Sequence, residues 1–396
     1  MIRPSAGQRT AAALAAATVF FLPSGTLYAF SVFLVPMETL LGVGRTAMSV
    51  VFALAAVTLT AGMNLAPRLY RTIAPARLAL ACGLCSGAGL LLTATATTFA
   101  QFVLGYGVLF GFGAGVGFIV MQQGVNQAVS THRGLANGYV VSLYPLGAMI
   151  GAPLIAWSLA AAGLRFTLLA LAFAMLAGGL LASVLIHFAA IRMHDASDDA
   201  ENGADPQWPL FLRLSTVFFL AAAAGLMVMS QVAEIVRAYG GATVLAVGAT
   251  TLITGAIAAA RLGGGWLADR FPVPVVAAGA HLWSLAGAML LAFWPQPLVA
   301  VPALAMIGMG YGFISGLTAG AIAQYWHRNA FGSVASRLYI AWCVAALSLP
   351  VFAGWLYDQT QGYRAAVLIA GGVNLLGVYF AAGLPRRARS VRPAPA

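Results

Sequence analysis

Long apolar runs separated by short polar punctuation dominate this chain. Twelve of them approach or exceed the ~20 residues a helix needs to cross a bilayer; they fall near 11–36, 46–66, 77–98, 101–125, 134–160, 165–190, 211–236, 243–268, 274–294, 298–324, 332–357 and 363–384. Each predicts a membrane-spanning helix, because a helix satisfies its own backbone hydrogen bonds where no water can. One stretch breaks the rhythm: "RMHDASDDAENGADPQWP" (Arg192–Pro209) holds five of the nine acidic residues and reads as a solvated linker. The expected organisation is an N-terminal six-helix bundle over 1–191, a cytoplasmic linker over 192–209, a C-terminal six-helix bundle over 210–385 and a basic cytoplasmic tail over 386–396.

The two halves rhyme. "RGLANG" (Arg133–Gly138) opens the fifth span and "FGSVAS" (Phe331–Ser336) the eleventh, with Pro153 and Pro350 following at nearly equal offsets. "GLRFTLL" (Gly163–Leu169) and "GYRAAVL" (Gly362–Leu368) open spans six and twelve, 199 residues apart. The fold class expected is therefore an all-α integral membrane protein, twelve transmembrane helices in two pseudo-symmetric halves. Repeated halves are the architecture of many secondary transporters, with the solute bound between them near mid-membrane.

Composition strengthens this picture. Hydrophobic residues make up 61% of the chain, charged residues 7%, and the mean hydropathy is +0.92. A soluble domain carries roughly a quarter charged residues. The net charge of +11 comes entirely from arginine, there being no lysine among the 20 basic residues. These arginines sit between spans and form no continuous basic face, so they report topology and imply no nucleic-acid partner. Fifteen lie on the side of the termini and four (Arg45, Arg165, Arg237, Arg364) on the other. The positive-inside rule then puts both termini in the cytoplasm, as expected of a monomeric, multi-pass protein of a bacterial inner membrane. Arg3 and Arg9 precede an apolar run too long for a cleaved signal. Cys82 and Cys85 form a C-x-x-C within a span with no nearby histidine, and read as small packing residues. The glycines of "GYGVLFGFGAGVGF" (Gly105–Phe118) follow no strand and read as close helix packing. No metal-ligand cluster or cofactor motif is found.

Arg261 is the remaining arginine. It lies in "AIAAARLGGGWLADR" (Ala256–Arg270), seven residues inside the predicted end of span eight, or on the order of 10 Å at 1.5 Å per residue. An arginine at a helix centre costs roughly 2.5–3.5 kcal/mol on insertion scales, so it needs a polar cavity and a partner. Besides the five acids of the linker, Glu38, Glu234, Asp269 and Asp358 all fall at span ends. The missing partner is inferred to be the solute: a carboxylate gripped by the guanidinium fork. The alternatives are an anchor snorkelling to the interface, or a strained pairing with Asp269 two helical turns away.

These residues carry a family resemblance. "RLGGGWLADRF" (Arg261–Phe271) resembles the G-x-x-x-D-R loop motif of the major facilitator superfamily, with Gly265, Asp269 and Arg270 as its members. The first-half counterpart, "APRLYRTIAPAR" (Ala66–Arg77), has Arg71 where the family has Asp. Within the superfamily the chain resembles the oxalate:formate antiporters and the monocarboxylate transporters, through "GTLYAFSVFLVPM", "GVGRTAMS", "RGLANG", "AGLMVMSQVAEI" and Arg261 itself. The resemblance implies a substrate-binding role for Arg261 and cavity-lining aromatics at Tyr28 and Tyr144, where core packing is the alternative. Two positions depart from it: Ile257 stands where the proton symporters have an Asp, and Trp342 where the oxalate exchanger has a lysine. A monocarboxylate, or a larger acid whose apolar part Trp342 covers, is therefore favoured over oxalate. Further candidates are Arg337 as a second cation and Gln122 and Asn126 as hydrogen-bonding groups, the amides being equally able to glue helices. His281 is the one mid-span histidine able to accept a proton, on a span that is peripheral in this fold.

The expected function is alternating-access transport of a small organic anion, by exchange, facilitated diffusion or proton-linked transport, with protons or a counter-anion as coupling partner. The alternatives are a multidrug or other-solute carrier of the same fold, which would want a buried carboxylate, or a non-transporting sensor. An intramembrane hydrolase is not expected, since His281 and Ser284 share one helix with nothing to activate them.

Overall fold

The computed structural model describes residues 4–193 and 207–386; most of the linker expected at 192–209 and of the tail at 386–396 lies outside them. Among the described residues there is no strand. The spans are α1 (Ala6–Leu41), α2 (Arg45–Thr72), α3 (Pro75–Ala94), α4 (Phe99–Ala128), α5 and α6, α7 (Trp208–Ala238), α8 (Thr243–Ala268), α9 (Val273–Phe293), α10 (Pro297–Tyr325), α11 (Phe331–Thr360) and α12 (Arg364–Ala382). The α5–α6 pair is a single helical stretch, Arg133–Phe188, of 56 residues. At 1.5 Å per residue that is about 84 Å, more than twice a bilayer core. It breaks at Gly163, where φ 81 and ψ 174 leave the helical region. A turn of one residue thus replaces the short loop expected between 160 and 165, and only glycine takes that backbone without strain.

Local chemistry sets the helix ends. Ser5 and Gln8 cap α1 reciprocally, the Gln8 N–H donating to Ser5 Oγ (3.3 Å) and the Ser5 N–H to Gln8 Oε1 (2.8 Å). After Pro23, α1 tightens into a 3-10 stretch over Gly25–Phe33 before regaining α geometry. Tyr28 sits in that tightened turn, a form that often marks functional hinges.

Helices approach closely where they carry glycine. A Cβ on Gly115 of α4 would run into the carbonyl of Leu59 on α2. The glycine run of α4 therefore packs against neighbouring helices, as its spacing suggested. Between the halves, α5 lies along α8 and α10, and α2 and α4 meet α11. His281 on α9 is fully buried, its Nδ1 2.9 Å from Asn374 Oδ1 on α12.

Gly115→Leu is expected to destabilise the protein by at least about 1–3 kcal/mol, the usual cost of overpacking. Gly279→Leu, where a Cβ meets nothing within 4 Å, should be neutral. Thermal unfolding in detergent, read beside size-exclusion profiles, checks the pair.

Candidate functional site

Arg261 is only 3% exposed, which excludes snorkelling. Its Nη1 donates to the Val141 carbonyl of α5 (2.8 Å) and its Nη2 to the Tyr311 hydroxyl of α10 (2.9 Å). The guanidinium carbon lies 5.2 Å from the centre of the Tyr311 ring. The Val141 carbonyl is available for a reason visible in the sequence. In a helix it would accept from the N–H four residues on, and that residue is Pro145, which has none. A proline in one half thus frees an acceptor for the arginine of the other.

Aromatic side chains close around this contact. The Tyr28 ring stacks on Trp342 (6.2 Å, 27°) and meets Tyr144 edge-on (5.7 Å, 65°). The Trp342 indole N–H donates to the Tyr311 hydroxyl at 3.0 Å. With Leu59, Met63, Phe118, Ser315 and Tyr339, these residues line a cavity of about 10 Å³ between the halves, room for one water-sized group. Arg261 Nε is buried outside any hydrogen bond, with the Tyr28 hydroxyl beside the guanidinium, and the Tyr144 hydroxyl is buried near Ser24. Larger recesses exist at α8–α9 and at α1–α5–α6, but their linings are almost wholly apolar. Convergent polar groups, more than volume, mark a binding site, and the small central cavity has them.

Comparison with known proteins agrees with this architecture. The family model for the Major Facilitator Superfamily matches residues 14–346 and again 214–396. The chain belongs to the major facilitator superfamily. It is 23% identical over 338 residues to the uncharacterized MFS-type transporter YhjX of Escherichia coli (strain K12), covering 82% of each chain. It is 28% identical over 314 residues to monocarboxylate transporter 13 of Bos taurus, covering 74% of this chain and 70% of that one. Solved structures of the same fold include the proton:xylose symporter XylE bound to 6-bromo-6-deoxy-D-glucose (TM-score 0.72, 14% identity, 95% of this chain and 96% of that one). The transporter FucP in an outward conformation is another (TM-score 0.71, 17% identity, 93% and 97%). A third is the human organic anion transporter MFSD10 (TM-score 0.70, 14% identity, 96% and 100%). The protein is accordingly a multi-pass secondary transporter of the superfamily, and not an enzyme.

In this superfamily member, four of the residues singled out in the sequence meet at one cavity: Arg261, Tyr28, Tyr144 and Trp342. Gln122 is buried beside the Tyr339 hydroxyl. Asn126 lies away from the cavity lining, accepting from Arg133 Nη2 (2.7 Å) and facing the Arg328 carbonyl (3.5 Å). Arg337 is exposed and does not reach the cavity; its place in the α11 sequence says nothing about which face it takes. Sequence reasoning missed Tyr311 and Tyr339. Tyr311 reaches Arg261 because Gly312 and Gly316 let α10 close on α8: a Cβ on Gly316 would strike the Arg261 carbonyl. The run "GMGYGF" carried that signal, a tyrosine among glycines, without saying which helix it faces.

The loop-motif residues stand at the end of the molecule where α8 finishes. Asp269 accepts from the backbone N–H groups of Gly134 (Oδ1, 2.8 Å) and Leu135 (Oδ2, 2.8 Å) at the start of α5. It caps a helix of the other half and is not Arg261's partner. Gly265 permits this approach, since a Cβ there would run into the Gly134 carbonyl and the Gly138 Cα. Arg270 instead lies over the Trp266 ring at 4.1 Å. At the pseudo-symmetric junction, where Arg71 replaces the family's acid, the α11 start is capped by a neutral group: the Gly332 N–H donates to Gln123 Oε1 (3.1 Å). Asn64 adds a bond to the Ser336 carbonyl (3.0 Å). One lock is ionic and the other is not.

Removing the ionic cap should loosen only what it holds. Asp269→Ala is expected to speed hydrogen exchange in peptides spanning Gly134 and Leu135 by about tenfold, from a cap worth roughly 0.5–2 kcal/mol. Arg270→Ala should leave them unchanged. Equal protection in Asp269→Ala and wild type would rule out the locking role.

Proposed function

We propose that this transporter carries a small organic anion, a monocarboxylate or a related carboxylic acid, by alternating access. One observation carries the reading: a buried guanidinium whose described partners are all neutral, its Nε outside any hydrogen bond and the Tyr28 hydroxyl beside the group. No described carboxylate competes for it. Glu234 pairs with exposed Arg237 at 2.8 Å, Asp269 caps α5, and Glu38 lies near the end of α1. A carboxylate meeting the Nε edge makes two parallel charge-assisted hydrogen bonds, and the aromatic walls cover an apolar body. A cationic solute would instead meet a like charge in a low dielectric. The bovine relative is named a monocarboxylate transporter, which agrees with this reading.

In this proposal the halves 1–191 and 210–385 rock about the cavity, joined by the linker at 192–209. The arginine-rich side is cytoplasmic by the positive-inside rule, so the Asp269 and Gln123 caps close the cytoplasmic gate. The setting is a bacterial inner membrane, and the protein acts as a monomer. Ile257 leaves no acid beside Arg261, which favours exchange or facilitated diffusion, or a proton travelling on the substrate itself.

The test is thermal unfolding of the purified full chain against acetate, propionate, benzoate, phenylacetate, oxalate and succinate, with the matching amides as controls. Ligands bound only by the folded state raise its stability by mass action. One or more monocarboxylates should stabilise the wild type, the amides should not, and Arg261→Gln should weaken binding about a hundredfold, the value of two charge-assisted bonds. Absence of any carboxylate effect, or its survival in Arg261→Gln, would overturn the proposal.

A further inference from the structure

We infer that Trp342 acts on the carried anion through Tyr311: its indole N–H fixes the direction of the Tyr311 hydroxyl proton, so that the cavity presents donors to the solute. This rests on reading the Arg261 cavity as a carboxylate site. The Tyr311 oxygen accepts two hydrogen bonds, from Arg261 Nη2 (2.9 Å) and from Trp342 Nε1 (3.0 Å). A phenol has two acceptor positions and one proton, whereas guanidinium and indole N–H groups can only donate. Neither partner can reverse its bond. Both acceptor positions are taken, and the Tyr311 proton must point elsewhere.

Its direction follows from the surroundings. Tyr311 is 1% exposed and lines the central cavity. Among the described residues, the Tyr311 hydroxyl donates no hydrogen bond. The remaining open direction is the cavity, where Arg261 Nε also lies outside any hydrogen bond. Trp342 is itself held, 3% exposed with its ring stacked on Tyr28. The Tyr311 O–H is therefore a fixed donor facing the solute, beside the Nε edge of Arg261. A carboxylate offers only acceptors and fits both. A carboxamide of the same shape brings an N–H against them, and a buried donor facing a donor costs what an unmade hydrogen bond costs.

Trp342 is thus a positioning residue and a determinant of specificity, in place of the direct cover for the solute's apolar part expected from the sequence. Without the indole N–H, one acceptor position on Tyr311 falls vacant. The hydroxyl can then rotate, turn a lone pair to the cavity and tolerate the amide.

The experiment measures binding of the strongest carboxylate of the panel above, and of its amide, to wild type, Trp342→Phe, Tyr311→Phe and the double variant. Trp342→Phe is expected to lower the carboxylate-to-amide preference about tenfold, the value of one hydrogen bond to a charged group. In the Tyr311→Phe background the same change should have almost no further effect on that preference, because the two residues act as one unit. Benzothienylalanine at position 342 keeps the bicyclic ring and removes only the N–H; it should reproduce the Trp342→Phe result and serves where phenylalanine perturbs folding. If Trp342→Phe weakens acid and amide equally, Trp342 acts by packing and the inference is wrong. If its effect persists undiminished in Tyr311→Phe, Trp342 touches the anion itself and the inference is again wrong. If no carboxylate binds wild type, the carboxylate reading fails first and takes this one with it.

Discussion

A guanidinium buried in a membrane protein, with no acidic partner among the described residues, is the constraint around which the rest of this structure is arranged. Isolated in hydrocarbon it would be expelled or would drag water inward. Here it is kept by neutral groups, a backbone carbonyl that Pro145 leaves without its helical donor and a phenol that accepts from it. Neither cancels the charge. The arginine is therefore solvated enough to stay and still charged, as the proposed reversible binding of an anion requires. A salt bridge would have quenched it, and breaking such a buried pair for each transport event is costly.

This solution imposes geometry on three helices. For the Val141 carbonyl to meet Arg261, α5 and α8 must nearly touch, and Gly138 facing the Arg261 carbonyl and Gly265 allows it. For Tyr311 to reach the same side chain, α10 must press on α8 through Gly312 and Gly316. The glycines beside the arginine are thus part of the site, since they set the distances its hydrogen bonds require. They also make Arg261 a bond between halves, so a solute that engages it acts where the halves must part.

The locks at one end of the molecule show the halves drifting from symmetry. Asp269 holds the start of α5 through two charged hydrogen bonds, while Gln123 and Asn64 hold the start of α11 through neutral ones. Helix N-termini favour negative charge, so the first is the stronger cap. A cation opposes the dipole at a helix N-terminus. Gln123 of α4 and Asn64 of α2 bond the start of α11 there, while Asn126 bonds Arg133 and the Arg328 carbonyl.

Much of this protein was legible in its sequence. Apolar run length dictated twelve spans, because a bilayer leaves the backbone few alternatives. The oddity of Arg261 was equally plain, since a charge in an apolar run needs a reason whatever the fold. Residues on helices that meet the cavity by their own register, Tyr28, Tyr144 and Trp342, could be named from resemblance. What the sequence could not determine was rotation and partnership. Arg337 and Trp342 lie five residues apart on α11, and only packing decided that one turns outward and the other inward. Tyr311 became a hydrogen-bond hub, with Trp342 as one of its donors, through contacts between segments far apart in the chain. One-dimensional patterns carry a helix's length and depth in the membrane; which face meets which neighbour is settled by the fit of glycines and aromatic rings across helices, and that exists only once the bundle has formed.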